Sequence, residues 1–140
     1  MSNESAAEPR TLLVEPDAAL RRSWEGVLRG RGHSVMGTGQ RDAAELLADS
    51  FHPDIIVWNA SGNSGELGIR RLRETTDTYI IAVGPDLSSE GRANLLAAGA
   101  DAVIPHPCAP SEVAAQAAAL LRRPRSVATV PAITGSRRRF

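Results

Sequence analysis

A single cysteine, Cys108, is all that this 140-residue chain carries, which rules out an intramolecular disulfide and any cysteine-built metal cluster. Long apolar runs are missing as well. Nothing approaches the roughly 20 residues that a helix needs to cross a bilayer, so no membrane partner is expected. Met1 to Arg10 is polar and acidic, without the basic start and apolar stretch of a signal peptide. A soluble, cytoplasmic protein is therefore the default expectation. Charge of one sign is absent too, because 16 basic residues balance 16 acidic ones. No overall field recruits nucleic acid or anionic membrane, and any such contact has to be local. What the chain does have is 42% apolar residues, enough for one folded unit with a tail.

Residues 1–10 have almost nothing to bury and read as a disordered lead-in. From Thr11 short β-like runs alternate with helical patterns, the mark of βαβ units around a parallel sheet. The first strand is expected over Thr11 to Glu15. Asp17 can cap a helix reaching about Arg31, on which Leu20, Trp24, Val27 and Leu28 form one apolar stripe. A second strand over Ser34 to Thr38 precedes a helix from Arg41 to Asp49. Ile55 to Trp58 is apolar without alternation and reads as a central strand buried on both faces. A helix over Glu66 to Glu74, a strand over Tyr79 to Val83 and a helix from Ser88 to Ala98 follow, with Gly99 as its stop. Ala102 to Ile104 is the last strand, and Pro110-Ser111 opens an alanine-rich helix to Arg123. Right-handed crossovers then give an α/β, flavodoxin-like, doubly wound five-stranded parallel sheet in the order 2-1-3-4-5, a (βα)5 unit. In that order the chain ends of four strands bring Glu15, Asn59, Gly84 and His106 to one crevice.

Four segments carry a resemblance: Leu12-Leu13-Val14-Glu15-Pro16-Asp17, Pro53-Asp54-Ile55-Ile56-Val57-Trp58-Asn59, Ile80-Ile81-Ala82-Val83, and Ala98 to Pro107. In this order, over Thr11 to Arg123, they resemble the receiver domain of bacterial response regulators. Such domains bind Mg²⁺ through an acidic cluster, take a phosphoryl group on an Asp, and report it through a hydroxyl and a Lys. This sequence departs at each of those points, so the resemblance implies a degenerate phosphorylation site built of Glu15, Pro16, Asp17, Asn59, Gly84 and His106. Asn59 stands where the phosphorylated Asp is expected, and an amide supplies no anionic nucleophile. Pro16 offers no ligand, and Asp17 is expected to cap the first helix rather than to bind metal, so Mg²⁺ binding is not expected and no cofactor is called. Gly84, followed by Pro85, replaces the hydroxyl. His106 replaces the Lys, and a pair with Glu15 would respond to acidification. The His106–Pro107 bond is expected to be cis, as in the family. The loop after Asn59 is about two residues shorter than the family's.

Three functional readings follow, and no catalytic residue is assigned in the first two. The first is a phosphorylation-independent interaction module that regulates transcription through a protein partner or a homodimer. Its face would be helix four, strand five and helix five, the last with an alanine-rich outer side. The second is a sensor that binds a small metabolite in the vacated crevice between Glu15, Trp58, Asn59, Gly84 and His106. The third is a Cys108/His106 enzyme, which would need an unusually reactive thiol. Gly37-Thr38-Gly39 fails the dinucleotide fingerprint, since position 42 is Asp, and turn chemistry is the expected reason for those glycines. Residues 124–140 read as a linker and basic tail. Arg137-Arg138-Arg139-Phe140 is either a solvated end or, by resemblance to winged-helix response regulators, the opening of an effector domain beyond Phe140 that would make any DNA contact.

Overall fold

The computed structural model describes residues 8–62, 65–85 and 88–123. Most of the expected lead-in, two residues of the loop after Asn59, and the whole expected linker and basic tail lie outside them.

Five strands, β1 (Arg10–Val14), β2 (Ser34–Thr38), β3 (Ile55–Asn59), β4 (Tyr79–Gly84) and β5 (Ala102–Pro105), form one sheet in the order β2-β1-β3-β4-β5. All pairs are parallel, and the register places Val14 beside Trp58 and Asn59 beside Val83. Every residue of β3 is buried, because the strand lies between β1 and β4 and helices cover both faces. On one face Leu12, Ile56, Trp58 and Ile80 pack under α2 (Ala44–Phe51), α3 (Gly65–Thr75) and α4 (Ser89–Ala98). On the other, Leu13, Val57 and Ile81 meet Trp24 of α1 (Ala18–Gly30) and Val113, Ala117 and Leu120 of α5 (Pro110–Leu121). Each fully buried aliphatic side chain stabilises by roughly 1.5–3 kcal/mol relative to exposure.

The expected Asp17 cap forms, and Ser88, placed at the helix start by the sequence pattern, turns out to be a cap as well. Asp17 Oδ1 accepts from the Leu20 N–H at 3.0 Å, and Ser88 Oγ accepts from Gly91 at 3.0 Å. Gly99 ends α4 with φ +130°, a conformation that other residues rarely reach. One element differs from expectation. The second helix starts with a 3₁₀ turn over Arg41–Ala43, and its α-helical part begins only at Ala44. Gln40 provides no side-chain cap, so the first turn tightens, with the Ala43 N–H on the Gln40 carbonyl at 3.1 Å.

The two edges of the sheet are finished differently. On β2 the Glu15 N–H bonds to the Thr38 carbonyl and the Ser34 N–H to Pro9, so the even-numbered groups face inward and the odd-numbered ones outward. Arg29 of α1 reaches over this edge and donates to the outward Val35 carbonyl at 3.1 Å. Glu25 lies across Gly37 and Arg21 across Gly39, each within reach of any Cβ placed there. Neither glycine has a positive φ, and the atoms lying over them are the mobile ends of Glu25 and Arg21.

Candidate functional site

Glu15 follows β1 and Asn59 ends β3, and both are buried, with 2% and 7% exposure. Asn59 Nδ2 donates to Glu15 Oε1 at 2.7 Å. The other carboxylate oxygen accepts the Asp17 N–H at 2.9 Å. Asn59 Oδ1 accepts twice, from the Ser61 N–H at 2.9 Å and from Arg41 Nη2 at 3.1 Å. Arg41 also donates to the carbonyl of Asn59 at 2.9 Å and to that of Ser61. The result is a relay in which a neutral amide separates a guanidinium from a carboxylate, offering N–H to the anion and C=O to the cation.

An Asp at position 59 has no N–H to offer. Its second oxygen would face Glu15 at the present 2.7 Å, and like charges that close push a carboxyl pKa up. The amide is therefore fitted to its neighbours on both sides. No salt bridge reaches the Glu15 carboxylate among the described residues, since Arg21 donates to the Glu15 backbone carbonyl instead, at 2.7 Å.

The donor set does not fit Mg²⁺. Both Glu15 oxygens are occupied by N–H donors, Pro16 contributes no ligand, and the one oxygen of the Asn59 side chain points at a guanidinium. Among the described residues no group of three or more His, Cys, Asp or Glu could hold a metal ion.

Gly84 borders a cleft of about 330 Å³ together with Ala60, Glu66, Pro85, Asn94 and Leu95. Glu15, Asn59 and His106 do not line it, because the first two close on each other. Trp58 points the other way, into the face under α2 and α3, where its Nε1 donates to the Gly65 carbonyl at 2.9 Å. A Cβ at Gly84 would meet only ordinary contacts at 3.6 Å and beyond, so packing does not forbid a side chain there. His106 is half-buried, its N–H bonds to the Gly84 carbonyl at 3.0 Å, and the bond to Pro107 is cis. The expected His106–Glu15 ion pair does not form among the described residues. Glu15 is committed to Asn59 and Asp17 instead. Cys108 is half-buried, and that burial together with the Glu112 carboxylate pushes its thiol pKa up. This disfavours a thiolate.

The start of α3 packs closely against the chain just after β3. A Cβ on Gly65 would fall 2.1 Å from the Ala60 carbonyl oxygen, so α3 can start there only on a glycine. Sequence reasoning missed Arg41. At the head of a helix it looks like any solvated cation, and the 3₁₀ turn is what swings it over the end of β3. One signal was available: every one of the 16 basic residues is Arg, and the chain has no Lys. Apart from a histidine, any cation at this crevice has to be a guanidinium, whose planar fork suits several carbonyl oxygens at once.

No family model matches the chain. A response regulator, MprA, of Mycolicibacterium vanbaalenii is 39% identical over 119 residues, covering 81% of this chain and 51% of the relative. The transcriptional activator protein PfeR of Pseudomonas aeruginosa is 29% identical over 126 residues, covering 89% and 41%. The chain thus spans about half the length of the curated relatives it matches. Among solved structures, an orphan response regulator of H. pylori superposes with a TM-score of 0.75 at 23% identity, covering 83% of this chain and 98% of that one. A flavodoxin-like (βα)5 unit with its site at the carboxyl ends of β1 and β3 is the receiver architecture. The chain has the receiver-domain fold, and the curated relatives that it matches are response regulators.

Proposed function

We propose that this receiver works without phosphorylation, as an interaction module that regulates transcription through self-association or an attached effector. The observation that carries the reading is the Asn59 amide. It is hydrogen-bonded on both sides, to Glu15 and to Arg41, in the place where a phosphoryl group would have to enter and where no nucleophile stands. The site is held in one arrangement, and signalling then rests on what the surface binds.

The proposed unit covers residues 11–123, with residues 124–140 leading towards an effector. Its proposed contact face is α4, β5 and α5. There β5 is a short edge strand, Leu96 is 43% exposed, and Ala115 and Ala118 lie on the outer side of α5. The names of the two relatives, a response regulator and a transcriptional activator, support a regulatory role.

Incubation with acetyl phosphate and Mg²⁺, followed by intact-protein mass measurement, tests the reading. The expected outcome is an unchanged mass and an unchanged sedimentation profile. A stoichiometric adduct carried on a residue of the crevice would overturn it.

A further inference from the structure

An arginine fastens each end of α2. At the last turn Arg10, from β1, donates to the Phe51 carbonyl at 2.8 Å and lies 4.1 Å over the Phe51 ring. At the first turn Arg41 holds the Asn59 and Ser61 carbonyls and the Asn59 amide oxygen. The first fastening ends on α2 itself, and the second on the side chain at position 59.

The head of α2 has weak support of its own. Gln40 gives no side-chain cap, the Ala43 and Ala44 amides bond within the 3₁₀ turn to the Gln40 and Arg41 carbonyls, and the buried side chain there is the methyl of Ala44. One methyl removes little apolar area from water. The head of α4 is built differently. Ser88 caps its own first turn by accepting from Gly91, and Gly84, at the end of β4, has no side chain. Among the described residues the Asn59 side chain bonds to Glu15, Ser61 and Arg41, none of them in α4.

We propose that the head of α2 is a latch set by the side chain at position 59, so that a change at the site is read at α2 and not at α4. Closed, Arg41 sits on the end of β3, 5.7 Å from the Trp58 ring. Open, Arg41 leaves Asn59 and the 3₁₀ turn lifts with it, while Ala48 and Phe51 keep the rest of the helix on the core. The charges beside the released guanidinium are mixed. Asp42 and Glu45 stand on its own side of the α2–α3 cleft, and Arg71 stands opposite. The two carboxylates give the open form partners, and Arg71 works against it. Opening gives up the Arg41 bonds and one methyl, far less than unfolding does, so the head opens by itself. The latch needs the contact between Asn59 and Arg41 and is independent of whether the chain is phosphorylated.

Amide hydrogen exchange of the full chain, followed by NMR, is the experiment. The Ala43 and Ala44 amides should exchange through an opening insensitive to low urea, because it exposes little surface. Asn59→Asp, measured above neutral pH where the new carboxyl is ionised, gives Arg41 a charged acceptor, and charge-assisted hydrogen bonds are the stronger ones. Ala43 and Ala44 should then slow about fivefold, while amides of β3, which wait for global unfolding of a destabilised variant, should speed up. Asn59→Ala removes the acceptor and should speed Ala43 and Ala44 about fivefold. Gly91 and Arg92, the matching amides of α4, should keep their rates in both variants. In an Arg41→Met background, substitution at position 59 should no longer move Ala43 and Ala44. Asn59→Ala and Arg41→Met decide the matter if the acidic variant fails to fold. The latch is overturned if Ala43 and Ala44 follow β3 in Asn59→Asp, if Gly91 and Arg92 respond in their place, or if residue 59 still moves them without Arg41.

Discussion

Two arginines hold the two ends of this sheet. At the amino end, Arg73 of α3 gathers the carbonyls of Thr76, Thr78 and Gly99 and closes on the Asp101 carboxylate at 2.8 Å. Asp101 in turn accepts the Ile80 N–H at 2.8 Å. At the carboxyl end, Arg41 gathers the carbonyls of Asn59 and Ser61 and then meets an amide instead of an anion. The side-chain chemistry is the same, but the first cluster neutralises its charge within one contact and the second spreads it across Asn59 to Glu15. One is a staple for the ends of α3 and α4. The other keeps two opposite charges apart with a residue that can be exchanged for Asp by changing one atom.

Arg73→Met breaks the staple. It leaves Asp101 without its cation and three carbonyls without a donor, and because the pair is partly exposed the expected loss is about 3 kcal/mol, at the lower edge of the range for a buried pair. A urea midpoint checks it. Asn59→Asp tests the spacer, with an expected loss near neutral pH of about 2 kcal/mol. In that variant one of the two facing carboxyls has a folded pKa above its unfolded value. Its protonation therefore stabilises the fold fully below the unfolded carboxylate range, about 4, and that contribution is lost as pH rises through the raised value. Relative to the unaltered chain, the variant should recover on acidification. Mg²⁺ should raise the melting temperature of the variant and leave the unaltered chain alone, since only the variant has two carboxylates facing one point. A variant as stable as its parent at neutral pH would sink the account of the amide.

Arg41→Met should cost less than Arg73→Met, about 1–2 kcal/mol, because Asn59 keeps its bonds to Glu15 and Ser61. A reversed order of the two arginine variants would remove the distinction between staple and relay. The smallest effect belongs to His33 at the amino end. It is buried, its Nδ1 lies 2.7 Å from the Thr11 hydroxyl, and burial lowers its pKa against a smaller opposing pull from Asp54. A depressed imidazole pKa means that the unfolded chain binds the proton more readily. Stability is then complete above the unfolded value of about 6.5 and declines as pH falls below it. His33→Gln should flatten the pH dependence of the urea midpoint in that window.

Much of the fold was legible because the hydrophobic pattern is strong. The unbroken run Ile55 to Trp58 marked a central strand, Ser34 to Thr38 was placed to the residue, and Asp17 stood where a cap is needed. The crevice was legible only as a set of absences. That Asn59 replaces an acid can be read from its position on β3, but that its amide is bonded on both sides depends on Arg41, which the 3₁₀ turn delivers from a segment with no distinguishing signal. Gly68 was legible in principle as a glycine inside a helical pattern, and its reason is the Trp58 indole of β3, which a Cβ at 68 would meet at 2.0 Å.

The finishing of the sheet edges limits how copies of the chain can grow into larger assemblies. A sheet with two open edges can add molecules at both and propagate as a fibre. Here Arg29 occupies an outward carbonyl of β2 and its helix lies over that edge, while β5 presents its four residues uncovered by any further strand. A pairing of β5 with its copy across a two-fold axis would use that edge on both chains, so growth beyond two chains would have to pass through β2, where the Val35 carbonyl is already engaged.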